Sequence, residues 1–360
     1  MTPIRVLAFY DHKGWAWWHR LHNVQRHLPT DISMDMREVY DDFAYEQYDF
    51  FLVLESYLLP LLRHIPAEKI IAGSSCARIA DKACSAQADG HCLALIFNSR
   101  EMFVATAPGQ RTYCCQNGVD TDLFTPALQP PETFTACWIG NGSSICEKGL
   151  EIIQKACRRE SVPLLFRDQS RERAPLTQRE VRDRYYRKAS VYLCASRWEG
   201  TPNPALESLA CGLPVISTPV GNMPEIIEDG KNGLLTERTV ESFASALARL
   251  RDMDQTALRA NARQCVLDGW TWAQQAQKYA NMFRELAAFR KLSPTRFEKA
   301  GKETYREYLL RLGAAALREG RLKKSASRLA WFFRYTPLWR AMRHVKHKYL
   351  VAFFTIFVGT

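Results

Sequence analysis

The sequence predicts an α/β protein built from two Rossmann-like domains that face each other across a cleft, with a basic helical C-terminal extension. Two observations carry this. Short continuous apolar runs recur with helical stretches between them, which is how strands buried on both faces of a parallel sheet read. A proline-rich break then divides the runs into two sets. With 360 residues, 47% of them apolar, the chain can bury two cores.

In the first set the expected strands are IRVLAFY at 4–10, YDFFLVL at 48–54, KIIAG at 69–73, CLALIFN at 92–98 and TYCCQ at 112–116. FTACWIG at 134–140, PLLFR at 163–167, VYLCAS at 191–196 and PVIST at 214–218 form the second. Between them, DLFTPALQPPETF holds three prolines that continue neither helix nor strand. The expected division is therefore 1–130, 131–272, a closing helix at 273–290 and a basic helical tail at 291–360. After PVIST only turns and helices are expected.

The formal charge of +11 belongs to the tail, where residues 291–360 carry 16 Lys and Arg against 4 Asp and Glu. Residues 1–290 are close to neutral, so nucleic-acid binding by the body is not expected. Eleven cysteines show no C-x-x-C spacing and no secretory leader opens the chain, which reads as reduced thiols in a cytosol. Adjacent Cys114 and Cys115 read as small apolar strand residues. No apolar run reaches the roughly 20 residues of a spanning helix, since YDFFLVLESYLLPLL is broken by Glu55 and YLVAFFTIFVG is only about half that length.

The stretch from Ala195 to Leu235 carries the chemistry. VYLCAS ends a buried strand, and Asn203 followed by Pro204 is expected to cap a helix beginning at Pro204. Gly212 ends that helix and Pro214 opens the next strand. A helix N-terminus at the carboxyl end of a parallel sheet attracts phosphate. Glu199 in the loop and Glu207 in the first helical turn can border one pocket. A diphosphate does not tolerate bare carboxylates beside it, so both are expected to accept bonds from sugar hydroxyls. Without further information, Glu207 reads first as a helix-dipole partner and Glu199 as a solvated side chain.

Glu199 to Glu207 is also an E-x7-E, followed by SLACGLPVISTPVGNMPEIIEDGKNGLL. This resembles the donor-site signature of the family 4 retaining glycosyltransferases of GT-B fold. QNGVDTDLFTP at 116–126, WIGNGSSICEKGLEII at 138–153 and TWAQQAQKYANMF at 271–283 resemble flanking segments of that family.

The resemblance implies a nucleotide-diphosphate sugar as donor, a glycan or lipid-linked acceptor, and neither cofactor nor metal. It implies that Glu199 holds donor-sugar hydroxyls, Glu207 the ribose diol, and Lys148 the departing diphosphate. Gly14, Gly140 and the backbone of Gly200, Thr201, Pro202 and Asn203 are expected against the donor, with His12 and Trp15 on the acceptor side. No protein nucleophile is nominated. Asn141 stands where the family has an arginine, with Arg197 or Arg167 as candidate replacements.

IIAGSS stands where the family often carries a histidine, which leaves that role open to His12, His19 or His22. Trp15, Trp17 and Trp18 suit sugar stacking or core packing alike. Asp120 and Asp122 mimic a metal-binding D-x-D but read as turn residues. Alternative readings are a degenerate GT-B protein that binds nucleotide sugar without turnover, and a nucleotide-sugar epimerase, against which the E-x7-E argues.

Within the tail, Leu338, Met342, Val345, Tyr349, Phe353 and Ile356 follow helical spacing, with Arg340, Arg343, Lys346 and Lys348 off the stripe. That composition predicts a helix lying in an anionic membrane surface, with packing on the first domain as the alternative, and the membrane reading implies a peripheral cytoplasmic protein that builds surface polysaccharide or lipopolysaccharide.

Overall fold

The computed structural model describes residues 3–292 apart from 11–12, 15, 39–45, 63–64, 76–79, 106–110, 141–144 and 170–175. The tail beyond 292, with the membrane stripe expected there, lies outside the described residues, as do His12, Trp15 and Asn141.

The first sheet contains β1 (Ile4–Tyr10), β2 (Ile32–Glu38), β3 (Phe50–Val53), β4 (Ile70–Ser74), β5 (Ala94–Phe97) and β6 (Thr112–Cys114). Their order is β2-β1-β3-β4-β5-β6, with every pair parallel. Helices α1 (Ala16–His27), α2 (Ala80–Ala88) and α3 (Arg100–Val104) connect them. The apolar runs become strands because β3, β4 and β5 are buried along their whole length, which only uninterrupted apolar sequence tolerates.

The second sheet contains β7 (Ala136–Gly140), β8 (Leu164–Asp168), β9 (Val191–Cys194), β10 (Val215–Ser217) and β11 (Gly233–Leu235), ordered β11-β10-β9-β7-β8 and again parallel. Around it lie α4 (Ile145–Lys148), α5 (Leu150–Arg159), α6 (Gln178–Arg184), α7 (Asn203–Ala210), α8 (Met223–Ile226), α9 (Val240–Arg251) and α10 (Gln255–Gly269). Two parallel α/β sheets facing one another confirm the expected fold class.

Two strands escaped the sequence reading, and both correct it. β2 is an edge strand paired with β1 alone, so its residues alternate between buried and exposed and form no apolar run. β11 is three residues long, and Gly233 is required there because a Cβ would overlap the Val215 carbonyl of β10. Conversely β8, read as buried on both faces, is an edge strand with Phe166 45% exposed.

The chain changes sides twice, at neighbouring points. Cys115 packs in the first domain's core, whereas Val119 and Phe124 already pack in the second's, ahead of Pro130. The return crossing lies beside the outgoing one: the Val119 amide donates to the Trp270 carbonyl at 2.9 Å, and Val119 bridges Thr271. Gly118 has no room for a Cβ, which would approach the Trp272 Cα and amide nitrogen at 2.7 Å.

After the return, helix α11 (Trp272–Leu292) lies against the first domain, where Trp272, Tyr279, Ala280, Met282, Phe283 and Leu286 join β1, β3 and β4 residues in one core. Phe283 stacks on Phe50 with ring centroids 6.3 Å apart. Phe283→Ala is therefore expected to cost about 3–5 kcal/mol. The loss should appear as faster hydrogen exchange at β1 and β3 with β9 and β10 still protected. Uniform acceleration in both sheets would contradict this placement.

Candidate donor and acceptor site

Because all strands of a sheet run in one direction, their carboxyl ends share an edge, and the two edges meet. A Cβ on Gly200 of the second domain would overlap the Asn98 side-chain oxygen and the Ser75 carbonyl of the first. Thr201 Oγ1 donates to the Asn98 carbonyl at 3.1 Å and accepts from Asn222 Nδ2 at 2.9 Å. Glu225 reinforces the seam, since its Oε1 accepts from the Arg100 amide at 3.0 Å and its Oε2 from Gln116 Nε2 at 2.7 Å.

In open α/β sheets ligands collect where successive connections leave a strand pair in opposite directions. In the second sheet that switch point lies between β7 and β9. Lys148 follows β7 and Glu199 follows β9. There they form an ion pair, Lys148 Nζ to Glu199 Oε1, with side chains 31% and 12% exposed. Gly149 makes this approach possible: it has φ +68°, and a Cβ would overlap Ala195 at the end of β9. The sequence placed these two residues on separate tasks, one on sugar and one on diphosphate, and the structure joins them.

Helix α7 follows directly and differs in detail from expectation. It begins at Asn203, its cap position is Pro202, and no side chain caps it. Asn203 is not the cap because its Oδ1 is engaged by Asn117 Nδ2 at 2.8 Å. Glu207 is consequently the fifth helical residue and falls beyond the first turn. Gly212 ends the helix at φ +72° as read.

Glu207 Oε2 accepts from the hydroxyl of fully buried Tyr186 at 2.7 Å. Part of the Glu207 side chain remains exposed, yet its carboxyl is surrounded by protein. That burial pushes its pKa up to about 7, against the bond from Tyr186 and the Arg167 guanidinium. Of the two candidate replacements at Asn141, Arg167 is thus the one whose charge reaches Glu207, while Arg197 is exposed.

Gly140 closes β7 and is needed locally, since a Cβ would overlap the Trp138 ring. Gly14 lies in the turn before α1 with φ +84°, a left-handed conformation that favours glycine. The His19 imidazole bonds to the Gly14 backbone, and burial holds its pKa below the usual histidine value. Trp17 packs between two cores of the first domain, whereas Trp18 stacks on His22 at 4.6 Å. Asp120 Oδ1 accepts from the Asp122 and Leu123 amides at 3.1 and 3.0 Å, the turn role read from NGVD.

The sequence reading missed Glu55, a carboxylate directly after β3 at the same seam, 5% exposed. A lone acid closing an apolar run was its signal. There it read as an interruption.

Two α/β domains meeting at their carboxyl edges, with a phosphate-attracting loop at the second switch point, define a GT-B protein. Residues 167–252, all within the second domain, match the family described as Glycosyl transferases group 1. The chain is 22% identical over 284 residues to the alpha-maltose-1-phosphate synthase of Mycolicibacterium smegmatis, covering 66% of this chain and 73% of that one. It is 36% identical over 109 residues to the D-inositol 3-phosphate glycosyltransferase of Saccharomonospora viridis, covering 29% of this chain and 25% of that one.

Among solved structures, the sucrose-phosphate synthase of Thermosynechococcus elongatus superposes with a TM-score of 0.63 at 14% identity, covering 79% of this chain and all of that one. Anabaena HepE, solved with UDP and glucose, superposes with a TM-score of 0.58 at 13% identity, covering 78% of this chain and all of that one. These likenesses establish the fold.

The Glu207–Tyr186 bond gives Glu207 a part in the fold. Glu207→Ala strands a buried hydroxyl and is expected to destabilise the fold by about 1–3 kcal/mol, with Glu207→Gln milder. Since the folded pKa is raised from 4.5 to about 7, the folded state holds the proton more tightly, and stability falls as pH rises through that window. Thermal melts of wild type should therefore decline from pH 5 to 7.5 more steeply than those of Glu207→Gln. Parallel profiles would contradict the raised pKa.

Proposed function

We propose that the protein is a retaining glycosyltransferase, moving a sugar from a nucleotide diphosphate to a hydroxyl of a glycan or lipid-linked acceptor without a metal ion. The carrying observation is the Lys148–Glu199 pair at the second switch point, directly ahead of the N-terminus of α7. A cation and the positive end of the helix dipole attract diphosphate, while the carboxylate suits a sugar hydroxyl. Relatives solved with UDP support a nucleoside diphosphate as that ligand.

As the sugar–phosphate bond breaks, negative charge gathers on the leaving diphosphate, and Lys148 with the amides of Gly200, Thr201 and Asn203 stabilises it. Glu199 orients Lys148 in the resting site and turns to donor hydroxyls when donor binds. Glu207, with Oε2 held by Tyr186, offers its other oxygen to the ribose diol. Entry of the acceptor on the leaving-group face needs no protein nucleophile, and retention follows.

Lys148→Ala is expected to lower kcat at least tenfold while changing donor affinity by less, because its charge matters most in the transition state. The assay is release of nucleoside diphosphate from a panel of labelled nucleotide sugars, run with EDTA throughout. Wild type should turn over in EDTA. A rise in KM alone for Lys148→Ala would refute its role, and binding without release by wild type would identify a degenerate transferase.

We further propose that residues 291–360 hold the enzyme on an anionic membrane, consistent with synthesis of a surface polysaccharide or lipopolysaccharide. No described helix is long and apolar enough to cross a bilayer. Each engaged basic residue contributes about 1 kcal/mol at such a surface. Full-length protein should float with anionic liposomes at low salt and a chain ending at Leu292 should not. Equal behaviour of the two would overturn this.

A further inference from the structure

The first sheet has its own switch point, between β1 and β3, and Glu55 stands directly after β3. Its Oε1 accepts from the Ser75 amide at 3.1 Å, and its Oε2 is buried without a hydrogen-bond partner. Arg20 on α1 is the nearby cation, but its guanidinium is committed to the Tyr279 hydroxyl at 2.7 Å and the Cys115 carbonyl at 2.9 Å.

Two more buried acceptors on this seam lack a donor. They are Asn98 Oδ1, at the end of β5, and Asn222 Oδ1, just before α8; the two residues are 3% and 0% exposed. Short links tie all three residues together. Ser75 bonds Glu55 through its amide and abuts Gly200 through its carbonyl. Gly200 also abuts the Asn98 side chain, and its carbonyl accepts from the Asn222 amide at 3.0 Å.

Buried polar atoms in native proteins are normally paired, so these orphans on one interdomain seam, which the Ser75 hydroxyl and Asn117 Oδ1 join, call for a ligand. All but the Ser75 hydroxyl are acceptors only. A molecule rich in hydroxyl donors satisfies them. A phosphate adds further acceptors and sets negative charge beside a carboxylate, so the same inventory disfavours it.

We infer that Glu55, together with Asn98 and Asn222, binds hydroxyl groups of the acceptor, so that the group presented to the donor is a neutral polyol such as a sugar diol and not a phosphorylated end. This rests on the reading that the second domain holds the donor. Glu55 thereby takes the acceptor-side role that no histidine fills at the end of β4.

Burial pushes the Glu55 pKa up to about 7, against the Ser75 bonds and the Arg20 charge. Facing it are Arg20 from α1 and the neutral Ser75 beyond β4. The ionised carboxylate is the better hydroxyl acceptor, so hydroxyl binding should strengthen as pH rises through about 7.

The test titrates full-length wild type, Glu55→Gln and Asn98→Leu with methyl α-D-glucoside and with its 6-phosphate. Binding is read by ligand-observed NMR at pH 6 and pH 8, with and without UDP. Wild type should bind the glucoside more tightly at pH 8 and the 6-phosphate less tightly than the glucoside. Glu55→Gln replaces the orphaned acceptor with a donor and should weaken glucoside binding at least tenfold, remove its pH dependence and leave UDP affinity within twofold. Asn98→Leu should weaken glucoside binding in the same way, which guards against a folding defect in one variant.

Unchanged glucoside binding in both variants overturns the inference, as does preference for the 6-phosphate or failure of wild type to bind the glucoside. Failure of wild type to bind UDP overturns the donor reading instead, and the glucoside titrations without UDP still decide the role of Glu55.

Discussion

The first domain does not close its own core. β1, β3 and β4 bury one face against α11, a helix reached only after the chain has built the entire second domain. Arg20 on α1 ties this arrangement together, donating at once to Tyr279 of α11 and to the Cys115 carbonyl just past β6. The first domain's sequence is therefore discontinuous, interrupted by the whole of the second. The two crossings lie side by side, locked by the Val119–Trp270 bond and by the absence of a side chain at Gly118. Relative motion of the domains must pass through those few residues, which places the rigid frame and the pivot at one spot.

From that frame the site follows by topology. Each parallel sheet has one switch point at its carboxyl edge, and the paired crossings turn the two edges toward each other. The second sheet puts Lys148 and Glu199 at its switch point, and the first puts Gly14 and Glu55 at its own. The proposed donor chemistry thus collects on one wall and the proposed acceptor chemistry on the other. The walls are held in register by short polar contacts, Thr201 to Asn98 and Glu225 to Arg100, and these break more readily than an apolar interface does.

Much of this was legible in the sequence because burial on both faces forces continuous apolar runs. The run IRVLAFY became β1 residue for residue. Where burial is one-sided the signal fades: β2 alternates at a sheet edge, and three-residue β11 depends on a glycine fitting under a neighbouring carbonyl. The E-x7-E spacing was legible as a motif, but its partners were not. That Lys148 meets Glu199, or that Tyr186 supports Glu207, is decided by how separate strands align, and no local pattern encodes it. Glu55 was hidden for the opposite reason. Its neighbours are so apolar that the acid looked like a break in a run, when burial beside Ser75 is what shifts its pKa.

Gly200 shows how the two halves constrain one another. Its neighbours across the seam are the Asn98 side chain and the Ser75 carbonyl, and on its own side Gly221 packs against its carbonyl with φ +54°. Two glycines are needed here because three backbone segments pass where one side chain would fit. The loop at Gly200 therefore has its shape set partly by the first domain: moving β4 and β5 away removes the wall against which Gly200 and Thr201 rest. If this loop holds the donor, as proposed, the donor binds the arrangement backed by β4 and β5 better than one without that wall, and such differential affinity couples donor occupancy to closure.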